Sequence, residues 1–126
     1  MLKNGLIYKL EKSVQPSETA IVMGSGGLEV FSTPSLVAFM EKTAFLSVEN
    51  LLEDGDTTVG ISIDTKHLKA SLVGDNLNSV ATLVEVDGKK LSFEIVVTHN
   101  GVIIGSCTHD RFIIDKEKFM NKLRKG

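Results

Sequence analysis

The sequence predicts an α+β domain in which one long central helix is wrapped by an antiparallel β-sheet. Residues 34–52 carry the strong helical pattern, and beyond them apolar residues recur at alternate positions instead. The later strands are joined by short connections, with Asp87-Gly88 and Asn100-Gly101 as tight-turn pairs. Neighbours joined so closely run antiparallel, because parallel neighbours need a long crossover.

In chain order, residues 6–14 mix apolar and charged side chains and read as a strand. Pro16 breaks it, residues 19–23 read as a short extended piece, and Gly24-Ser25-Gly26-Gly27 reads as a flexible loop. No Gly-Lys-Ser/Thr follows these glycines, so they do not make a phosphate-binding loop. Thr33 and Pro34 then open the helix: the hydroxyl can cap free amides, and proline suits the first turn. Apolar residues from Leu36 to Leu52 lie almost all round this helix, which predicts that it is enclosed. After the polar exit Glu53-Asp54-Gly55-Asp56, the residues Val59, Ile61, Ile63, Thr65 and His67 share one side of a strand. Residues 77–86 form the next strand, and Leu91, Phe93, Ile95 and Val97 mark the inner side of another. A long strand over residues 102–114 and a lysine-rich helix over residues 116–123 complete the order strand, helix, meander of strands. Val80, Val84 and Val96 make the second sheet face partly apolar, which together with the small size favours a homodimer.

Residues 1–126 are read as a single domain, long enough for a core but not for two. Hydrophobic residues at 42% and charged residues at 24% give the profile of a soluble globular chain, not a disordered one. A formal net charge of -2 gives no general reason to expect a nucleic-acid or anionic-membrane partner. The basic tail, Lys116, Lys118, Lys122, Arg124 and Lys125, reads as the solvated end of a helix. Cys107 is the one cysteine, so an intrachain disulfide is excluded, and its apolar neighbours suggest a buried thiol. The N-terminus lacks a secretory pattern and no apolar run is long enough to span a bilayer, so the expected location is cytoplasmic.

Glu41 is the first candidate for chemistry. Val37 lies four residues before it and Phe45 four after, so a carboxylate shares an apolar helix face. Such a group must be paired, protonated or put to use. His67 is the second candidate, at the end of its strand on the side expected to face the helix; an imidazole exchanges protons near neutral pH. Thr33 and the backbone amides from Ser32 to Ser35 sit at the positive end of the helix, where developing negative charge is favoured. Thr33 and Glu41 are eight residues apart, about 12 Å of helical rise, so contact needs a substrate across the gap or a bent entry. Arg111, on the same side as His109, Cys107 and Gly105, is suited to pair with an acid or to reach a ligand phosphate. His99 reads as exposed beside its turn. His109 and Asp110 have no compact spacing with His67, and no metal site is expected.

The run Val30-Phe31-Ser32-Thr33-Pro34-Ser35-Leu36-Val37-Ala38-Phe39-Met40-Glu41, with Thr57-Thr58-Val59-Gly60 and Thr65-Lys66-His67-Leu68, resembles the hot-dog thioesterase superfamily. The branch it is similar to is that of fluoroacetyl-CoA thioesterases, and the similarity covers nearly the whole domain. The resemblance implies a hot-dog fold, a dimer with joined sheets, and acyl-CoA bound near the subunit interface. It implies catalytic roles for Thr33, Glu41 and His67, a close thioester approach at Gly60, and a basic residue near the site at Arg111. Ser32, at the helix start, joins the expected substrate contacts. The family's aromatic lid residue has no counterpart in Gly24-Ser25-Gly26-Gly27, which argues against fluoroacetate selectivity. The implied reaction is hydrolysis of a short-chain acyl-CoA to carboxylate and free CoA, without a metal or separate cofactor. The rival reading is a non-catalytic acyl-CoA or small-molecule binding domain on the same fold.

Overall fold

A computed structural model describes residues 2–126. Strand β1 (Ile7–Ser13) leads through a 3-10 turn at Pro16–Glu18 and a one-turn helix α1 (Ala20–Met23) to the long helix α2 (Thr33–Glu49). Strands β2 (Asp56–His67), β3 (Asn76–Asp87), β4 (Lys90–His99) and β5 (Val102–Asp115) follow, and helix α3 (Lys116–Arg124) ends the chain. Residues 19–23 are therefore a helical turn and not the extended piece the sequence suggested. Thr19 supplies a hydroxyl bond to Pro16 O at 3.0 Å, and Gly24 closes α1 in the left-handed conformation at φ 75°.

The five strands form one antiparallel sheet in the order β1-β3-β4-β5-β2. Only β3, β4 and β5 run as a meander among these strands. The link at residues 68–75 carries the chain from β2, beside β5, to β3 beyond β4, so the four-strand meander suggested by the sequence is interrupted. The tight turns are where the sequence puts them. At the second, Asn100 and Gly101 both have positive φ, 50° and 78°, the backbone that a two-residue hairpin of this hand requires.

One side of α2 meets the sheet. Leu36, Phe39, Met40, Ala44 and Val48 are buried and pack with Leu77, Leu83, Leu91, Phe93, Ile95 and Val97. Each large side chain so enclosed contributes about 1.5–3 kcal/mol relative to exposure. The opposite side of α2 is open: Thr33, Pro34, Ala38 and Lys42 are exposed. One sheet can cover one side of a helix, so the fully enclosed helix expected from its apolar content is not what this chain forms. Val84 and Val96 lie partly exposed on the outer sheet face, and no helix among the described residues is long and apolar enough to cross a membrane.

The feature that positions the site is a bulge in β2. Gly60 pairs with Arg111 and Ser62 with Asp110, leaving Ile61 as an extra residue without its own partner on β5. Before the bulge, Thr58 and Gly60 face α2; after it, Ile63, Thr65 and His67 do. Ile61 is turned outward and is 52% exposed. The unbroken alternation of Val59, Ile61 and Ile63 suggested one continuous face, and the bulge corrects it.

Close approach of helix and sheet depends on Gly105. A Cβ there would lie 2.7 Å from Leu36 Cδ2 and 3.1 Å from the Lys66 carbonyl oxygen. We predict that Gly105→Ala destabilises the protein by about 1–3 kcal/mol, because the added methyl overpacks the seam. Urea unfolding of the variant against the parent measures this, and equal midpoints would contradict it.

Candidate active site

Two groups of side chains line the seam between α2 and β2, one on each side of the bulge. The first is at the start of α2. Ser32 is the cap: its Oγ accepts from Ser35 N at 3.2 Å and pairs with Ser35 Oγ at 2.8 Å, while its own N–H donates to Glu18 O at 2.9 Å. The cap is therefore Ser32 and not Thr33, the residue the sequence suggests. With Ser32 holding it, Thr33 becomes the first helical residue and its hydroxyl is free to meet His67, Oγ1 to Nδ1, at 2.8 Å.

His67 is held by its surroundings. The buried ring of Phe31 meets it edge-on, with centroids 6.5 Å apart and planes at 78°. Phe31 is itself fixed by its N–H donating to Ser71 O at 2.9 Å. Burial lowers the pKa of His67 below the ordinary imidazole value, with the Lys69 backbone partly offsetting the effect. The ring is therefore neutral at physiological pH. A cavity of about 280 Å³ opens beside this pair, lined by Ala20, Ser25, residues 30–33 and residues 67–70. Ser32 is thus in the cavity wall with both its polar groups already bonded.

The second group lies two turns along α2. Glu41 Oε2 is 4.0 Å from Arg111 Nη1, the carboxylate side chain being 42% exposed and the guanidinium side chain 8%. Glu41 is thus at the rim of the seam, not sunk in oil, because the open side of α2 begins next to it. Arg111 donates from Nε to Thr58 Oγ1 at 2.8 Å and from Nη2 to Thr58 O at 3.0 Å, and its Cζ is 5.7 Å from the Phe45 ring centroid. Burial lowers its pKa while Glu41 and Glu49 raise it, and an arginine so surrounded keeps its charge.

Gly60 is at the centre of this group. A Cβ there would lie 2.9 Å from Glu41 Oε2, 3.3 Å from His109 Cε1 and 3.4 Å from Arg111 Nη1. The missing side chain is what leaves the carboxylate oxygen beside bare backbone. Among the described residues, no hydrogen bond or ion pair joins Glu41 to Thr33 or His67 within the chain.

His109 is the residue that sequence reasoning passed over. It is 2% exposed and sits behind Gly60, yet its strand parity with Arg111 already put the two on one side of β5. Asp110 points to the other face, toward Ser62 Oγ at 3.2 Å and Lys90 Nζ at 3.7 Å, so His67, His109 and Asp110 do not converge. His99 is only half-buried at the far end of β4, donating from Nδ1 to Asn76 O at 2.9 Å. Cys107 is buried, its thiol pushed up to about 12 by burial and then by Glu41, which makes it inert as a nucleophile.

The family model described as fluoroacetyl-CoA-specific thioesterase matches residues 14–117. A fluoroacetyl-CoA thioesterase of Streptantibioticus cattleyicolor is 38% identical over 97 residues, which is 76% of this chain and 69% of that protein. The chain belongs to the fluoroacetyl-CoA-specific thioesterase family. A solved fluoroacetyl-CoA thioesterase, FlK, superposes with a TM-score of 0.93 at 28% identity, covering 99% of this chain and 97% of that one. A hot-dog-like protein from Thermanaerovibrio acidaminovorans superposes with a TM-score of 0.90 at 17% identity over 98% of this chain and 92% of its own. The family's hot-dog fold, a long helix in an antiparallel sheet, is the fold of this chain.

For this family member, one buried imidazole, His109, and one half-buried imidazole, His67, make stability depend on pH. Burial lowers the pKa of both His67 and His109 in the native state, so the unfolded chain binds more protons below the ordinary value near 6.5. Stability is then fully present above that value and falls as the pH drops below it. We predict a falling urea midpoint between about pH 6.5 and 5, a window above the titration of ordinary carboxylates. A midpoint that stays level through this window would contradict the neutral assignment of both rings.

Proposed function

We propose that the chain hydrolyses a short acyl-CoA thioester to a carboxylate and free CoA, and that it works as a homodimer. The family supplies the reaction class, thioester hydrolysis. The observation that carries the site assignment is Glu41 Oε2 beside Gly60, only 2.9 Å from where a Cβ would be. A thioester carbonyl laid over Gly60 meets a carboxylate at contact distance with no side chain between them.

In this reading Glu41 is the reacting carboxylate. It either removes a proton from the attacking water or adds to the carbonyl carbon, giving an anhydride that water then opens. The C–S bond breaks, and the departing thiolate takes a proton passed through His67. Thr33, bonded to His67 Nδ1, keeps the ring in place and faces the acyl group. Backbone amides at the start of α2 or at Gly60 receive the charge that builds on the carbonyl oxygen. Arg111 adds a fixed positive charge 4.0 Å from Glu41.

Dimerisation supplies what one chain leaves apart. The strand β2 is an edge of the sheet, paired on one side by β5 and open on the other. Two such edges joined antiparallel would set the first half of one β2 beside the second half of the other. Glu41 and Gly60 of one subunit would then approach Thr33 and His67 of its partner, with the thioester across the seam. The loop at residues 24–27 brings no aromatic side chain to this seam, so we infer a preference for short acyl groups in general over fluoroacetyl alone.

A CoA-release assay over acetyl, fluoroacetyl, branched and aromatic thioesters tests the reading. We expect turnover of the short substrates, with kcat lowered about 10²–10⁴-fold in Glu41→Gln, the range expected for a lost acid–base group. Full activity in that variant would remove Glu41 from the mechanism. Binding of acyl-CoA with no turnover by the parent protein would favour the non-catalytic alternative.

A further inference from the structure

The strongest feature that the proposed reaction leaves unused is a buried imidazole with both nitrogens bonded. His109 Nδ1 is 2.8 Å from the carbonyl oxygen of Ser62, the first residue after the bulge. A carbonyl accepts, so Nδ1 must carry the proton. His109 Nε2 is 3.2 Å from Arg111 Nη1. A guanidinium only donates, so Nε2 must present its lone pair. The two contacts independently select the same tautomer. We propose that His109 is a positioning residue of the site, a singly protonated ring that ties the Ser62 carbonyl to Arg111 and so fixes where Arg111 stands relative to Glu41.

The consequence concerns the reactivity of Glu41. Thr58 holds Nε and Nη2 of Arg111, and His109 holds Nη1, so each guanidinium nitrogen has a partner other than the carboxylate. The Nη1 to Oε2 distance is 4.0 Å, at the outer edge of an ion pair. An unrestrained arginine would form a shorter, two-pronged bond to the carboxylate and occupy both its oxygens. Held back by His109, Arg111 lends charge and leaves Glu41 free to react. The charged and titratable groups that bear on the ring are Arg111, Glu41 and Asp110. Burial is the largest influence on its pKa, lowering it; Arg111 lowers it further, and the Ser62 carbonyl and the two acids partly oppose this. Phe93 packs against the ring with centroids 6.3 Å apart, so an apolar ring of similar size has a place to go.

This inference rests on the hydrolytic reading for its kinetic arm and stands on its own for its spectroscopic arm. In the parent protein, ¹⁵N NMR should find the His109 proton on Nδ1, with the ring neutral at pH 7 and above. A proton on Nε2, or a doubly protonated ring at pH 7, would overturn the proposal whether or not the protein turns over. In the CoA-release assay, His109→Phe keeps the ring shape and removes both hydrogen bonds. We expect kcat to fall about 10–100-fold, with KM within about threefold, as for a displaced catalytic group. His109→Gln can still accept from Arg111 and should recover at least about tenfold of that loss, which a purely structural role for the ring does not predict. Unchanged kcat in His109→Phe, or no difference between the two variants, would overturn the proposal. Absence of turnover in the parent would instead remove the hydrolytic reading and leave the NMR result to decide on His109.

Discussion

The extra residue in β2 is the constraint on which the site depends. Were Ile61 paired like its neighbours, Gly60 and His67 would lie on opposite faces of a regular strand, since they are seven positions apart. The bulge absorbs one residue and turns both toward α2. It also directs the Ser62 carbonyl at His109, so the irregularity is bonded into the wall behind Glu41. Bulges are common where a strand must re-aim a side chain.

Two other local choices follow the same logic of keeping reactive groups unoccupied. At the start of α2 two hydroxyl residues stand side by side; Ser32 is spent on capping, and Thr33 is left for His67. Farther along, Arg111 is spent on Thr58 and His109, and Glu41 is left at the rim. In both places a structural neighbour satisfies the group that would otherwise compete for the functional one. The stability for this arrangement comes from elsewhere, from the packed side of α2 against β3 and β4, where the polar groups are few.

The sequence made the architecture legible because its signals are local. The apolar spacing of α2, the Asp87-Gly88 and Asn100-Gly101 turns and the alternation along β4 each act within a few residues, and each is present in the structure. Glu41, His67, Gly60 and Arg111 could be singled out by residue type and strand parity. What escaped depends on contacts between distant segments. Nothing in the run Val59-Gly60-Ile61-Ser62-Ile63 announces that one apolar residue will be expelled; the pairing with β5 decides it. The choice of Ser32 over Thr33 as cap turns on the distance to Ser35 and on the bond to Glu18. His109 looked ordinary because its partners, Ser62 and Arg111, are brought to it by the register of β2 and β5. The route of β2 to the sheet's edge was likewise invisible, since residues 68–75 form a link of no marked composition.

Catalysis in this arrangement requires that the two halves of the seam act on one thioester from two subunits. Co-expression of His67→Ala and Glu41→Gln chains with different tags, followed by purification of the mixed dimer, tests this directly. Each homodimer should be inactive in CoA release, while the mixed dimer holds one site with both groups intact and should recover about half of the parent activity. A mixed dimer as inactive as its parents would contradict the shared site.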